Sequence, residues 1–330
     1  MVGMHTAMQQ LELVSEAKIF DILPGSLNPR LEASGVLAKD EMFYVIFDNL
    51  PHIACISPDL SAAAGGNRMI VQERGLRSGF EDIAHDPQAG RFYVLIESLP
   101  RGRGMFMAAV QEHDANFRYT GRAWLDFPLD RPNKGLEGLT CVRRDGQAYL
   151  LGLCEGNRCK GGAEGRVPGG GRIQVFRRGH RQWDRVATIR LPETVLFQDY
   201  SGIAVADGRI AVVSQESSAL WVGTLAPDGW EVTDAGMSYA LPRPADGSIA
   251  YGTAEGVSWM APDQVVMVSD KAKPDQDPRC RAKDQSIHIF RIPHLNREPQ
   301  RPIRSRRGTR IAGSRFHPAP RASSSSARHW

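Results

Sequence analysis

Carboxylates recur in this sequence where neighbouring ones could meet. Glu81, Glu137 and Glu255 each open a short apolar run, as ED, EG and EG. Ser34 and Ser201 stand at the equivalent place in two further runs, as SG. A second acidic series ends the strand that follows: Asp48, Glu97, Glu155, Glu216 and Asp270. Carboxylates gathered at one point repel and raise each other's pKa unless a cation neutralises them. Ca²⁺, a hard ion taking roughly six to eight oxygens, is the natural counter-ion. The expected metal ligands are Glu81, Glu137, Glu255, Glu97, Glu155, Glu216 and Asp270, with Asn49 and Asn157 adding neutral oxygens. A structural reading stands beside this one. The same carboxylates could accept backbone N–H groups of a neighbouring unit, and such a role would recur equally well.

Two loops on the same face carry cations. Residues 154–172 hold Arg158 and Lys160, and residues 269–285 hold Lys271, Lys273, Arg281 and Lys283. Arg158, Lys160, Lys271 and Lys273 beside an acidic, metal-loaded rim suit a small anionic ligand such as a phosphate or carboxylate. The glycines of GGGR lack the GK[ST] of a phosphate loop and read as a flexible loop. The chain has no GxSxG elbow, and no His pair in HxH or HExxH. A Ser-His-Asp triad cannot be assembled from spacing, so no catalytic residue is assigned.

The elements that must position these residues repeat. The units begin SGVLAKDEMFYVIFDN, EDIAHDPQAGRFYVLIES, EGLTCVRRDGQAYLLGLCEGN, SGIAVADGRIAVVSQES and EGVSWMAPDQVVMVSDK. Their starts lie about 47 to 64 residues apart. Each reads as a hairpin whose second strand is continuously apolar, as strands buried on both faces are. Further strands follow, such as HIACIS, RIQVFRR and ALWVGTL, giving about four per unit. Four-stranded sheets at this period predict an all-β fold, a β-propeller of five blades, with a sixth left open in the longer connections. The segment AKIFDILP resembles the outer strand VATIRLP. It predicts that residues 17–23 pair with residues 286–292 and close the ring. The first strand of each blade then lines the channel, and both acidic series reach one mouth.

The GLEGL, TAEGV and strand-ending SQES and VSDK motifs resemble those of the esterase-like phytase and SdiA-regulated types of bacterial propeller. In those, too, Glu-Gly opens the inner strand and a Ser-acid pair ends the next. The resemblance spans about residues 30–293. It implies Ca²⁺-dependent hydrolysis of phosphate esters, with Glu81, Glu137 and Glu255 at the inner acidic position. Glu97, Glu155, Glu216 and Asp270 match the strand-ending one. Ser34 and Ser201 depart from the pattern.

Composition fits this reading. Of 330 residues 42% are hydrophobic and 24% charged, which excludes wholesale disorder and a membrane bundle. The net charge of +4 hides an asymmetry. Nine arginines and one glutamate fall in residues 297–330, leaving residues 1–296 at about −4. The expected organisation is a propeller over 1–296 and a disordered basic tail over 297–330. Only through that tail would the chain meet nucleic acid. An odd count of five cysteines, with no apolar leader, argues for reduced thiols, a cytoplasmic setting and a monomer. Cys154 and Cys159 leave a local disulfide or metal clip open. The expected function is a propeller binding Ca²⁺ and a small anion, with hydrolysis of a phosphate ester, ester or lactone if it is an enzyme. The alternative is a non-catalytic scaffold for a protein or carbohydrate.

Overall fold

Five inner strands run side by side around a central channel in the computed structural model of the chain. It describes residues 8–24, 30–72, 74–75, 79–102, 104–129, 131–132 and 134–293. The tail expected at 297–330 lies outside them. Two strands come first, β1 (Gln9–Gln10) and β2 (Glu12–Lys18), followed by a helical turn, α1 (Ile19–Ile22). The first sheet is β3 (Ala33–Lys39), β4 (Met42–Phe47), β5 (Leu50–Ile56) and β6 (Arg68–Ile70). The second is β7 (Phe80–Asp86), β8 (Arg91–Pro100), β9 (Phe106–His113) and β10 (Tyr119–Leu129). The third is β11 (Leu136–Arg144), β12 (Gln147–Cys154), β13 (Arg172–Arg178) and β14 (Trp183–Arg190), and a short parallel pairing of β14 with β10 joins it to the second in one eight-stranded sheet. The fourth is β15 (Gly202–Ala206), β16 (Arg209–Ser214), β17 (Ala219–Thr224) and β18 (Met237–Ala240), with β1 added in parallel outside β18. The fifth is β19 (Ala254–Ala261), β20 (Gln264–Ser269) and β21 (Ser286–Arg291), completed by β2.

Each sheet is a meander, and the fold is a β-propeller. β3 packs beside β7, β7 beside β11, β11 beside β15, β15 beside β19, and β19 beside β3. Each seam has its own apolar core, because the two faces of every sheet must be covered. Ile46 and Ile96 share one such core, Leu95 and Leu150 another, and likewise Leu153 with Val212, Val213 with Val265, and Val268 with Val45. At one end the channel widens to a cavity of about 270 Å³ that all five inner strands line, through Val36, Ile83, Leu139, Ile203 and Val257.

At the other end the channel narrows to a neck, and the second residue of each repeat explains it. These residues are Gly35, Asp82, Gly138, Gly202 and Gly256. A Cβ on Gly202 would stand 2.3 Å from the Glu255 carbonyl oxygen, and one on Gly256 2.7 Å from Gly35 Cα. One on Gly35 would stand 2.7 Å from Asp82 Cα. The single side chain admitted here, Asp82, is fully buried and ties strands together. Its carboxylate accepts the Ile83 and Leu139 N–H groups, both at 2.8 Å, and that of Ile203.

The ring closes through its N-terminal strand, but with other residues than expected. β2 pairs antiparallel with β21, from Glu12 opposite Arg291 to Lys18 opposite Ser286. Of residues 17–23, only Ala17 and Lys18 pair. Ile19 and Ile22 form a helical turn because their spacing puts both on one buried side, in the core between the fifth and first sheets. A buried network fastens the seam. Glu16 Oε2 accepts from His288 Nδ1 at 3.1 Å and from the Tyr251 hydroxyl at 3.1 Å. His288 Nε2 accepts from Ser269 Oγ at 3.0 Å, and Lys283 pairs with Glu16. Burial holds His288 below its ordinary pKa, so Lys283 supplies the positive charge. Ser269 and His288 have no exposed surface. The Ser-His-Glu geometry is therefore a latch and not a nucleophile.

Two outcomes follow. Gly202→Ala forces β15 and β19 apart and should lower stability by about 1–3 kcal/mol in denaturant unfolding. The bonds from His288 and Lys283 hold Glu16 at about 2, below its ordinary 4.5. A depressed carboxylate stabilises above its unfolded pKa, and that stability is lost as pH falls from about 4.5 through 2. Glu16→Gln should cost about 1–2 kcal/mol at pH 7. The gap to wild type should close toward pH 2, read by unfolding at a series of pH values.

Candidate functional site

Glu81, Glu137 and Glu255 each stand one residue before the neck. Protein surrounds them, while a minor part of each side chain stays open. Burial pushes all three well above the carboxylate range, and neighbouring acids add to it. Glu137 hydrogen-bonds both Glu81 and Glu97, contacts that need a shared proton in the absence of a cation. Burial and then Glu155 push Glu97 up to about 7.

One oxygen from each of Glu97, Glu137 and Glu155 lies within 4.8 Å of the others. Three atoms no more than 4.8 Å apart leave a point at most about 2.8 Å from each. That is near the roughly 2.3–2.6 Å of Ca–O contacts. Glu155 pairs with Lys134 through Oε1, while its Oε2 is buried without a hydrogen-bond partner. Burial pulls the Lys134 pKa down, but its bond to Glu155 outweighs this and holds it above the ordinary value. The donor set, hard oxygens with one orphaned, suits a hard divalent cation.

A second acidic group faces the fifth and first sheets. Asp270 is pushed up to about 6 by burial and then by Glu32 and Asp48, against a bond from the Lys271 N–H. Its Oδ1 is buried without a partner. Asp48 is raised by burial and Glu32. Glu255 accepts from Gln215 Nε2 at 2.7 Å and lies within the field of Asp270 and Lys273.

The structural reading is realised at several of these positions. Asp48 accepts from Gly79 N at 3.1 Å, and Glu97 from Gly135 N at 3.0 Å, each amide preceding the next inner strand. Ser34 Oγ donates to the Phe80 carbonyl at 2.5 Å and Ser201 Oγ to that of Ala254 at 3.3 Å, each one residue before the next blade's glutamate.

Three expectations change. Glu216 is exposed and faces Arg166 at 3.5 Å, outside the three-carboxylate cluster. Its place in the fourth blade is taken by Asp199, which accepts the Ser214 hydroxyl and the Glu216 N–H and is pushed up to about 6 by burial. Asn157 spends its amide on the loop, accepting from Gly170 N and the Tyr200 hydroxyl and donating to Gly165 and Phe197 carbonyls. It has no oxygen left for a cation. Arg158 is exposed, with its backbone N–H on the Gly170 carbonyl and its charge beside Arg172.

The other expected cations are placed variously. Lys160 lines a cavity of about 90 Å³ with Lys134, Glu155, Arg166, Asp199 and Glu216. Lys273 is exposed, with its charge near Glu255 and Asp270, and Lys271 offers Asp270 its backbone N–H. Glu32, Asp199 and Lys134 were missed. The two units that open with Ser carry an acid two residues earlier, as Glu32-Ala-Ser34 and Asp199-Tyr-Ser201. That spacing was the available signal.

The cysteine expectation is corrected too. Cys154 and Cys159 form a disulfide, while Cys55, Cys141 and Cys280 are free. β12 ends at Cys154, and a single turn over Asn157–Cys159 brings the two Cα atoms to 5.1 Å, within disulfide reach. No helix among the described residues is long and apolar enough to cross a membrane.

No protein-family model matches the chain, and no curated protein does. Among solved structures, the chain is similar to the PQQ-bound aldose sugar dehydrogenase of Streptomyces coelicolor. Identity is 12%, covering 86% of this chain and 98% of that one, with a TM-score of 0.46. Glutaminyl cyclase of Myxococcus xanthus shares 10% identity over 86% and 96%, with a TM-score of 0.45. A family 43 β-xylosidase/α-arabinofuranosidase from a compost microbial metagenome shares 10% over 78% and 89%, also at 0.45. Similarity this distant transfers neither substrate nor cofactor.

Raised carboxylates set a pH dependence of definite sign. Glu97 keeps its proton to about 7 in the folded chain against an ordinary 4.5, and Asp199 and Asp270 to about 6 against 3.8. The folded state binds more protons than the unfolded one across this interval, so stability falls as pH rises. In chelator, denaturant unfolding should show a loss of stability between about pH 3.8 and 7. Saturating Ca²⁺ should flatten that slope.

Proposed function

We propose that the acidic mouth of this propeller binds a divalent cation, Ca²⁺, and through it a small anionic ligand. The observation that carries the reading is the Glu97, Glu137 and Glu155 cluster, with a buried Glu155 oxygen lacking any partner. Glu81 extends the cluster through its bond to Glu137. Asp270 and Glu255, with Lys273 nearby, form the second acidic group of the same mouth. When bound, the cation would supply Lewis acidity toward an ester oxygen. Lys134, Lys160 and Lys273 would hold the anionic part of the ligand, by charge and N–H donation. The reaction class in keeping with this set is hydrolysis of a phosphate ester, ester or lactone.

A non-catalytic scaffold is the second reading. It is favoured by the blade-to-blade bonds of Asp48, Glu97, Ser34 and Ser201, which give these side chains a structural use.

Calorimetric titration of chelator-stripped protein with Ca²⁺ tests the first reading. Wild type should bind and gain thermal stability by mass action. Glu137→Gln and Glu155→Gln should each weaken binding at least about tenfold, whereas Glu216→Gln should leave it unchanged. No heat and no thermal shift in wild type would leave the scaffold reading standing.

A further inference from the structure

We infer that the Cys154–Cys159 disulfide is a redox staple on the acidic cluster. Oxidised, it holds Glu155 where a cation can use it; reduced, it releases the turn that follows Glu155 and weakens the site. This inference rests on the cation reading for what is bound, and adds how binding is controlled.

Position is the first argument. The β11–β12 register sets Leu136 opposite Cys154. Glu137 and Glu155 are therefore the residues that follow this pair, one on each strand. Two of the three clustered carboxylates are thus directly bonded along the chain to the two ends of one cross-strand pair. The staple closes immediately behind Glu155, the residue with the unpartnered oxygen.

Conformation is the second. Arg158 and Cys159 both lie in the left-handed region, at φ 58° and 56°. For residues with a side chain this conformation is unfavourable, and it persists where the surroundings impose it. The disulfide imposes it at one end and Asn157 at the other. The four bonds of Asn157 tie down the far part of the loop, toward Gly165, Gly170, Phe197 and Tyr200. Besides the S–S bond, Cys159 has only its N–H bond to the Gly156 carbonyl and a sulfur-accepted bond from Gln174 Nε2 at 3.3 Å, fewer ties than Asn157 has. Loss of the S–S bond therefore frees a local turn without dismantling the loop.

Access is the third. Cys154 is buried, but Cys159 is partly exposed and stands between exposed Arg158 and Lys160. Neighbouring cations favour an approaching thiolate, so Cys159 Sγ is the sulfur attacked. A dithiol reductant attacks as its thiolate. The S–S bond breaks, a mixed disulfide forms on Cys159, and Cys154 leaves as a thiolate and takes a proton. The second thiol of the reductant then displaces Cys159, which is protonated in turn. Two electrons and two protons pass to the chain, and the reductant becomes a disulfide.

Linkage makes the control reciprocal: a cation preferring the oxidised form must protect the staple from reduction. A tenfold preference displaces the midpoint potential by about 30 mV for this two-electron couple.

Ca²⁺ titration of the full chain, before and after dithiothreitol, tests the inference. Ca²⁺ is a hard ion that thiols do not compete for. Thiol counting on unfolded samples confirms the state, rising from three to five. The dissociation constant should rise about tenfold on reduction and return on re-oxidation. Cys154→Ser/Cys159→Ser should match the reduced form and lose all response to dithiothreitol. If that variant fails to fold, the reversible cycle on wild type alone decides. Equal affinity in both redox states, or tighter binding after reduction, overturns the staple and leaves the cation reading intact. Absence of binding in the oxidised chain overturns both.

Discussion

Five β-strands meeting around one axis leave room at their closest point for backbone and almost nothing else. That crowding governs the rest of the molecule. Four of the five neck positions are glycine because a Cβ would enter the next strand's backbone. The fifth, Asp82, uses the space they leave to accept N–H groups from three inner strands. A ring drawn this tight fixes the direction of the residue just before it. Glu81, Glu137 and Glu255 come within one another's field because the neck leaves them no other course.

Convergence brings an electrostatic cost that the chain meets in two ways. Some carboxylates are tied to structure, each with an oxygen on a neighbouring blade's amide, as Asp48 and Glu97 show. Others share protons or cations, as Glu137 does with Glu81 and Glu97, and Glu155 with Lys134. One side chain can serve both ends, since a carboxylate has two oxygens. Glu97 gives one to Gly135 N and stays in the three-carboxylate cluster. The structural and cation-binding readings thus differ by oxygen atom more than by residue.

Much of the fold was legible because a propeller repeats its pattern of strands and turns. The apolar second strands, the DG turns and the EG openings place the sheets nearly to the residue, as RIQVFRR does for β13. The closing strand was misplaced because sequence likeness cannot tell an outer strand from a helical turn. AKIFDILP looks extended, yet Ile19 and Ile22 are both buried in a turn. The acidic mouth was legible for Glu81, Glu97, Glu137, Glu155, Glu255 and Asp270, whose positions follow from strand phase. Glu216 was misread because a serine-rich turn carries it outward, where Arg166 meets it. Lys134 and Asp199 come from connections, where no period constrains a side chain. The disulfide was hidden for the same reason, being made by one irregular turn.

The seam between β2 and β21 joins segments more than two hundred and fifty residues apart in the chain, Glu16 and His288 being separated by 272. Ladder hydrogen bonds and ion pairs such as Lys283 with Glu16 hold it. Synthesis delivers β2 before the four other sheets' inner strands and β21 after them. Four sheets can therefore assemble in order on the emerging chain, while the fifth waits with an open edge. Ring closure is then a single late event, and the latch of Glu16, His288, Ser269 and Lys283 can form only once it has happened. A circular permutant that moved the chain ends to a loop between two sheets would make this seam local. The folding delay should then pass to whichever sheet was newly split, because it belongs to the seam and not to any particular blade.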